Sequence, residues 1–279
     1  MNANINEIMT FRSGISLFGI PIHQVLTITG EQEDLHCKAF RSKETLGITE
    51  YQGIPVAIVD LAKANNIESI NEQKKQLIET LKIREQDHID WINALEDSLI
   101  SDIEFTKSRD PRMCEFGKWY DSFNTDDEDL RSLLKEFDAP HKKIHALADT
   151  LLDMKTEGEL QKCIEILHDE RETTLKHLIN LFERVRSQIT TSIKTVFIFL
   201  TVDGNTPCVA LCVDEISDVE TATKNGLTSM SEIAIPLIDS TMKYLSGYQK
   251  LLSDNDCLLI DLELLLSNPS LKKNQSKAS

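Results

Sequence analysis

The sequence predicts an α+β protein in which an α-helical bundle is inserted into a β-barrel domain. Both ends of the chain carry short runs of β-branched and aromatic residues broken by glycine and proline, a pattern typical of strands. Between them, glycine nearly disappears and apolar residues recur every three or four positions, as in amphipathic helices. Neither strand-rich part looks like a complete barrel by itself, so one interrupted β domain requires the fewest assumptions.

These changes in pattern set the predicted domain boundaries. We expect residues 1–70 and 195–267 to form the two halves of the β domain, and residues 76–190 to form the inserted bundle. Residues 62–73 are polar and rich in asparagine, which indicates a linker. The Lys/Ser-rich segment 268–279 is predicted to be a disordered tail.

Turn signals locate hairpins in the β-rich parts. Gln52-Gly53 and Asp203-Gly204-Asn205 each separate two strand-like runs and are expected to form tight turns. Further strands are expected at 233–238, 244–251 and 256–266.

The helical part shows three long amphipathic segments. Thr125-Asp-Asp-Glu128 resembles a capping box and predicts the start of a short helix, Pro140 lies near the start of the next, and Gly158 ends it. A last long helix is expected from about 160 to 189. The apolar stripe of the first helix comprises Leu77, Leu81, His88, Ile92, Leu95, Leu99 and Ile103.

Composition excludes several classes of function. The formal net charge is −16, and no basic cluster is present that would bind nucleic acid or an anionic membrane. No run of eighteen apolar residues predicts membrane insertion, and the N-terminus does not resemble a secretory signal. We therefore expect a cytoplasmic protein whose six cysteines are reduced.

Two histidines suggest a metal site. His141 and His145 are four residues apart, which places them one turn apart on the same face of a helix, and both fall on its apolar stripe. A pair of this kind is weak evidence alone, because most such pairs are surface or packing residues. On a buried face, however, the imidazole nitrogens need partners.

Two further residues complete a ligand set. His88 occupies the apolar stripe of the first helix, and Cys114 opens the aromatic run Cys114-Glu-Phe-Gly-Lys-Trp-Tyr120. Three histidines and one cysteine satisfy the tetrahedral preference of Zn²⁺, and mixed nitrogen and sulfur ligands favour it over calcium or magnesium. The alternative is that these are polar residues tolerated in a loosely packed bundle.

The same residues carry a family resemblance. His88 with Trp91, the CxFGxWY run that starts at Cys114, and the HxxxH pair from His141 to His145 resemble the chemoreceptor zinc-binding (CZB) domain, with spacings of 26, 27 and 4 residues. The resemblance covers about residues 76–190. It implies that the three histidines and the cysteine are the zinc ligands, and that the bundle is a homodimer that senses zinc or thiol oxidants.

The strand-rich parts resemble the CheW-like domain, which couples chemoreceptors to the histidine kinase CheA. The matching stretches are Gly47–Leu61, Val209–Ile216 and Cys257–Leu262. The family commonly carries arginine before the glycine of an RGxxxPVxDL pattern, and Gln52 occupies that position here. The resemblance implies that the partners are a chemoreceptor and a CheA-type kinase.

Three functions from different classes fit these observations. The first is a chemotaxis adaptor whose inserted bundle reports zinc or an oxidant. The second is a stand-alone zinc-dependent redox sensor or zinc buffer, which the altered residue Gln52 favours. The third, a zinc hydrolase, is disfavoured because His141-Lys-Lys-Ile-His145 lacks the glutamate of an HExxH motif and four protein ligands would close the site to substrate. We expect no enzymatic activity.

Overall fold

The computed structural model describes residues 7–30, 44–232 and 244–267. The chain divides into two compact units, a β unit of Met1–Gln73 with Lys194–Ser279 and a helical unit of Lys74–Ile193. Sheets and helices are thus segregated, which confirms the predicted α+β class. The strand expected at 233–238 and the tail at 268–279 lie outside the described residues.

The β unit contains ten strands within the described part of the chain. They are β1 (Glu7–Ser13), β2 (Ser16–Pro21), β3 (Val25–Gly30), β4 (Thr45–Tyr51), β5 (Ile54–Asp60), β6 (Val196–Thr201), β7 (Pro207–Val213), β8 (Glu215–Ser229), β9 (Leu245–Leu251) and β10 (Asp256–Ile260). Two short helices, α1 (Leu61–Ala64) and α8 (Leu262–Ser267), belong to the same unit.

The strands form a closed barrel and a second sheet. In the barrel the order is β1-β2-β10-β9-β8, and the long strand β8 closes it by pairing antiparallel with both β9 and β1. The second sheet has the order β3-β6-β7-β5-β4, with one parallel contact between β5 and β7. Each sheet combines strands that precede the helical unit in sequence with strands that follow it. Neither set of strands therefore completes either sheet alone.

Both predicted hairpins are confirmed. Strands β4 and β5 pair antiparallel around Gln52 and Gly53, whose φ angles of 51° and 81° are the positive values of a tight hairpin turn. Strands β6 and β7 pair antiparallel, and in their turn the Asp203 carboxylate accepts hydrogen bonds from the backbone N–H groups of Asn205 and Thr206.

The ends of the β unit that flank the helical unit are adjacent. The Asn71 side-chain amide donates a hydrogen bond to the Lys194 carbonyl at 2.8 Å. We therefore expect that replacing residues 76–190 with a short Gly/Ser loop leaves the β unit folded, because loop closure between neighbouring ends costs little entropy. Circular dichroism and thermal unfolding of the shortened chain check this. An insoluble product, or one without a β spectrum, would contradict the prediction.

The helical unit is built from six helices of different length. They are α2 (Ile70–Ile100), α3 (Glu115–Ser122), α4 (Glu128–Lys135), α5 (Asp138–Thr156), α6 (Leu160–Glu170) and α7 (Lys176–Ser192), with a π-helical segment at Arg171–Leu175 between the last two. The sequence predicted one uninterrupted helix in place of α6 and α7. The π-helical turn is a local change of hydrogen bonding inside a continuous helix, which apolar periodicity does not reveal.

The predicted linker at 62–73 is partly wrong, because α2 begins inside it, at Ile70. The first turn of the helix is stabilised by acceptors that sequence periodicity does not show. The Asp214 carboxylate accepts the N–H of Ile70 at 2.9 Å, and the Ser69 hydroxyl accepts the N–H of Glu72 at 3.1 Å.

Two other local predictions are also wrong. Helix α2 ends at Ile100, so Ile103 lies outside it and is exposed. The N-cap of α4 is Asp127 rather than Thr125, and its carboxylate accepts the N–H of Leu130 at 2.9 Å. Asp and Thr both cap helices, and the position of the chain decides which of them is used.

The apolar stripes of α2, α5 and α7 pack into the core of the helical unit. Its fully buried members include Leu81, Ile92, Leu95, Ile144, Ala148, Leu151, Leu178, Leu181, Phe182 and Val185. An ion pair between Glu85 of α2 and Arg186 of α7, both largely buried, joins two of these helices beside the core.

Candidate metal centre

Four side chains from three parts of the helical unit converge inside it. His88 comes from α2, Cys114 immediately precedes α3, and His141 and His145 come from α5. One potential ligand atom from each of the four lies within 4.8 Å of the others. The structure therefore brings together all four residues that the sequence singled out.

The helix geometry accounts for the arrangement of the rings. His141 and His145 are one turn apart on α5, and their ring centroids are 4.8 Å apart. The ring of His88 faces both, with centroid distances of 5.0 Å to His141 and 5.9 Å to His145. All three histidines are buried, at 6% exposure or less.

The orientation of His88 is set by its own helix. Its Nδ1 lies 2.7 Å from the Arg84 carbonyl, one turn earlier on α2. A carbonyl oxygen can only accept, so Nδ1 carries the proton and Nε2 presents a lone pair. That Nε2 is buried and has no hydrogen-bond partner in the described structure.

His145 is oriented by the segment between α2 and α3. Its Nδ1 lies 3.1 Å from the Ser108 carbonyl, which again leaves the lone pair on Nε2. This Nε2 is likewise buried and without a partner in the described structure. Two orphaned acceptors in one cluster are costly unless something binds them, and a metal ion satisfies both.

Cys114 contributes the sulfur and also caps α3. Its Sγ accepts the Gly117 N–H at 3.2 Å, lies 3.2 Å from His141 Nε2 and contacts the Pro111 carbonyl at 3.2 Å. Its side chain is half-buried, whereas the three histidines are buried.

Burial keeps the imidazoles neutral. Desolvation, followed by the proximity of the other two histidines, lowers the pKa of His141 to about 3. Desolvation and the neighbouring His88 lower the pKa of His145 to about 4, and desolvation also lowers the pKa of His88. At neutral pH the three rings are therefore uncharged, which is the form that ligates a metal.

The pKa of the Cys114 thiol is shifted upward, whereas the pKa values of the three histidines are shifted downward. Burial raises its pKa, and the nearby carboxylates of Asp87 and Glu115 act in the same direction, while the N–H groups of Gly117 and Phe116 oppose them. Without a cation the sulfur is therefore a neutral thiol near pH 7. A bound divalent ion supplies the charge that stabilises the thiolate.

The donor set and its dimensions fit zinc. A tetrahedral zinc ion, with Zn–N of about 2.0–2.1 Å and Zn–S of about 2.3 Å, separates its ligand atoms by roughly 3.3–3.6 Å. The observed upper limit of 4.8 Å exceeds this by little more than 1 Å.

Comparison with known families agrees with this geometry. Residues 88–152 match the sequence profile of the chemoreceptor zinc-binding domain, and this range contains all four residues of the cluster. This segment is a CZB domain.

Gly117 in the CZB domain is required by close backbone packing, which our sequence reasoning did not identify. A Cβ atom on this residue would lie 1.9 Å from the Pro111 carbonyl oxygen. The glycine lets the segment that ends at Cys114 pack directly on α3, and its N–H reaches the sulfur. A glycine inside the aromatic run Cys114–Tyr120 was the sequence feature that could have indicated this close packing.

The other two histidines of the helical unit lie outside the matched range 88–152. His168 and His177 are both exposed and do not belong to the cluster. They provide matched controls for substitution of the four cluster residues.

The remaining comparisons concern the whole chain. No protein of curated function matches the sequence. Among solved structures, the scaffolding protein TtCheW from Thermoanaerobacter tengcongensis matches over 95% of this chain and 94% of its own, with 11% sequence identity and a TM-score of 0.41. No helix in the described ranges is long and apolar enough to cross a membrane.

Proposed function

We propose that this chain is a zinc-binding signalling adaptor that holds one zinc ion through His88, Cys114, His141 and His145. The observation that carries the proposal is the pair of buried, unpartnered Nε2 atoms on His88 and His145, which face a half-buried cysteine sulfur and a third imidazole. Three neutral nitrogen donors and one sulfur are ligands that zinc accepts.

Metal analysis of the purified chain tests this proposal. We expect about one zinc per chain by plasma emission after exhaustive dialysis, whether the metal is retained from expression or added back. Magnesium and calcium, which prefer oxygen ligands, should not compete at equal concentration. A chain that retains no zinc after reconstitution would contradict the proposal.

The arrangement favours a structural or sensory role for zinc over catalysis. Four protein ligands leave no open position for a substrate, and the residues between His141 and His145 are Lys142, Lys143 and Ile144, none of which is a general base of the HExxH type. We therefore propose that the chain is not an enzyme. A bound zinc would join α2, α5 and the segment that precedes α3.

Coupling to a receptor–kinase assembly rests on the strand motifs that resemble the CheW-like domain. The turn residue Gln52, which differs from the family's arginine, is exposed between β4 and β5. Co-sedimentation with reconstituted arrays of chemoreceptor and CheA-type kinase tests the coupling. Sedimentation of the chain with the arrays supports it. A chain that stays in the supernatant while binding zinc supports the stand-alone sensor or buffer instead.

Sensing of thiol oxidants rests on the partial exposure of Cys114, which differs in this respect from the three buried histidines. Oxidation of its sulfur would remove the anionic ligand and weaken the metal site. Hydrogen exchange of reduced and oxidised protein tests this idea. Changes that reach the β strands support a switch, whereas changes confined to residues 88–145 leave a structural zinc.

Two further parts of the proposal follow from the family resemblance and the composition. The CZB resemblance favours a homodimer formed through the helical unit, which sedimentation equilibrium tests. The charge of −16 and the absence of a basic cluster favour a cytoplasmic protein that binds neither nucleic acid nor anionic membranes.

A further inference from the structure

We propose that Trp91 is a positioning residue of the zinc site, which acts on His145 through the backbone carbonyl of Ser108. This inference rests on the proposed function, because it concerns how one of the four ligands is held. The proposal gives a role to the indole N–H of Trp91, whose ring is also part of the hydrophobic core.

The contact geometry is direct. The indole Nε1–H of Trp91 donates to the Ser108 carbonyl at 2.7 Å, and the Nδ1–H of His145 donates to the same oxygen at 3.1 Å. A carbonyl oxygen has two lone pairs and accepts both bonds. The rings of Trp91 and His145 also pack together, with centroids 5.0 Å apart.

The two histidines with unpartnered nitrogens differ in how they are oriented. The acceptor for His88 is the Arg84 carbonyl of its own helix, whose position is set by helix geometry. The acceptor for His145 lies in the segment between α2 and α3, where no helix or strand sets the position of the Ser108 carbonyl. That carbonyl must therefore be held by side chains, and the buried indole of Trp91 does so from α2.

The same segment carries the sulfur ligand at its end. It is attached to α5 by the ion pair between Arg109 and Asp149 at 2.9 Å, and Cys114 follows five residues after Arg109. Because the Arg109–Asp149 pair is exposed, it contributes little. The Trp91–Ser108 bond is part-buried and its donor side chain is only 4% exposed, so it is the stronger constraint on the path of the segment.

A purely packing role is the alternative, since Trp91 also contacts Phe105, with ring centroids 5.1 Å apart. The variant Trp91→Phe separates the two roles, because it keeps an aromatic ring in the core and removes the N–H donor. The matched control is Trp119→Phe. Trp119 packs against Phe116 and Phe123, and its indole N–H makes no hydrogen bond within the described residues.

Zinc affinity of the full-length chain is the first measurement, by competition with a chromophoric chelator. Loss of a residue that orients a metal ligand typically weakens metal binding by about 10- to 100-fold. We expect a loss in this range for Trp91→Phe and less than about threefold for Trp119→Phe. Equal losses in the two variants would overturn the inference, as would an unchanged affinity in Trp91→Phe.

The second measurement reports the tautomer of His145 in the zinc-loaded chain. Long-range ¹H–¹⁵N spectra, assigned with His145→Ala, should show the proton on Nδ1 in wild type. Because it needs no Trp91 variant, this readout holds even if Trp91→Phe does not fold. A proton on Nε2 of wild-type His145 would overturn the inference. If the wild-type chain binds no zinc, the proposed function is wrong. That outcome differs from a zinc-loaded chain with the proton on Nε2 of His145, which contradicts only the role of Trp91.

Discussion

Replacing Cys114 with alanine is expected to weaken zinc binding at least about a hundredfold, because loss of a ligand costs more than loss of a residue that merely orients one. The substitution removes the anionic member of the set and leaves three neutral imidazoles. His141→Ala should have a comparable effect, since its Nε2 lies 3.2 Å from the Cys114 sulfur. Chelator competition and plasma emission measure both.

The capping role of Cys114 calls for a separate control. Alanine also removes the acceptor for the Gly117 N–H at the start of α3, which costs about 0.5–2 kcal/mol of stability. Cys114→Ser restores a good N-cap but not a thiolate ligand. We therefore expect Cys114→Ser to regain the helical stability of the zinc-free chain without regaining zinc.

Exposed histidines provide the negative controls. His168→Ala and His177→Ala should leave the zinc content unchanged, since neither residue lies in the cluster. Undiminished zinc in Cys114→Ala would remove Cys114 from the site. Equal losses of zinc in the two cluster variants to alanine and in the two controls would show that the loss is not specific to the cluster.

Replacing Phe182 with alanine is expected to destabilise the helical unit by about 3–5 kcal/mol, the usual cost of emptying a buried phenylalanine site. Phe182 is fully buried on α7, and its ring contacts Phe137 at 4.8 Å, Phe116 at 5.2 Å and His88 at 5.9 Å between centroids. The cavity would therefore open directly beside the cluster.

Urea unfolding followed by the helical circular dichroism signal measures this effect. A chelator in the buffer removes the contribution of bound metal. Ile83→Ala is the matched control on α2, because Ile83 is 54% exposed, and its effect should be within about 0.5 kcal/mol. A loss of unfolding free energy below about 1 kcal/mol for Phe182→Ala would show that neighbouring side chains rearrange to fill the cavity.

Apolar periodicity was sufficient to predict three of the four residues that form the cluster. His88, His141 and His145 were located because they interrupt apolar stripes, and a polar residue on a buried helical face needs a partner. Cys114 was located by the aromatic run that it begins. The spacing of four between His141 and His145 requires a shared helical face wherever the helix lies.

The exact starts of two helices were not predictable in this way. Helix α2 starts at Ile70 because Asp214, which is far away in sequence, accepts its N–H. The N-cap of α4 is Asp127 although Thr125 fits the sequence pattern equally well. In each case the choice depends on which acceptor the folded chain brings within hydrogen-bond distance.

Hydrophobic period, residue type and the aromatic run at Cys114 were enough to predict the α+β class, a central helical segment and the four cluster residues. Which ring nitrogen of each histidine is available to a metal was not predicted, because it depends on where backbone carbonyls lie in the folded chain. The Nδ1–H of His88 donates to the Arg84 carbonyl and that of His145 to the Ser108 carbonyl, which leaves the lone pair of each Nε2 free. Gly117 allows the close approach of the Pro111 backbone and donates its N–H to the Cys114 sulfur. Backbone carbonyls and N–H groups are the same in every residue, so their role at a site is set by the path of the folded chain.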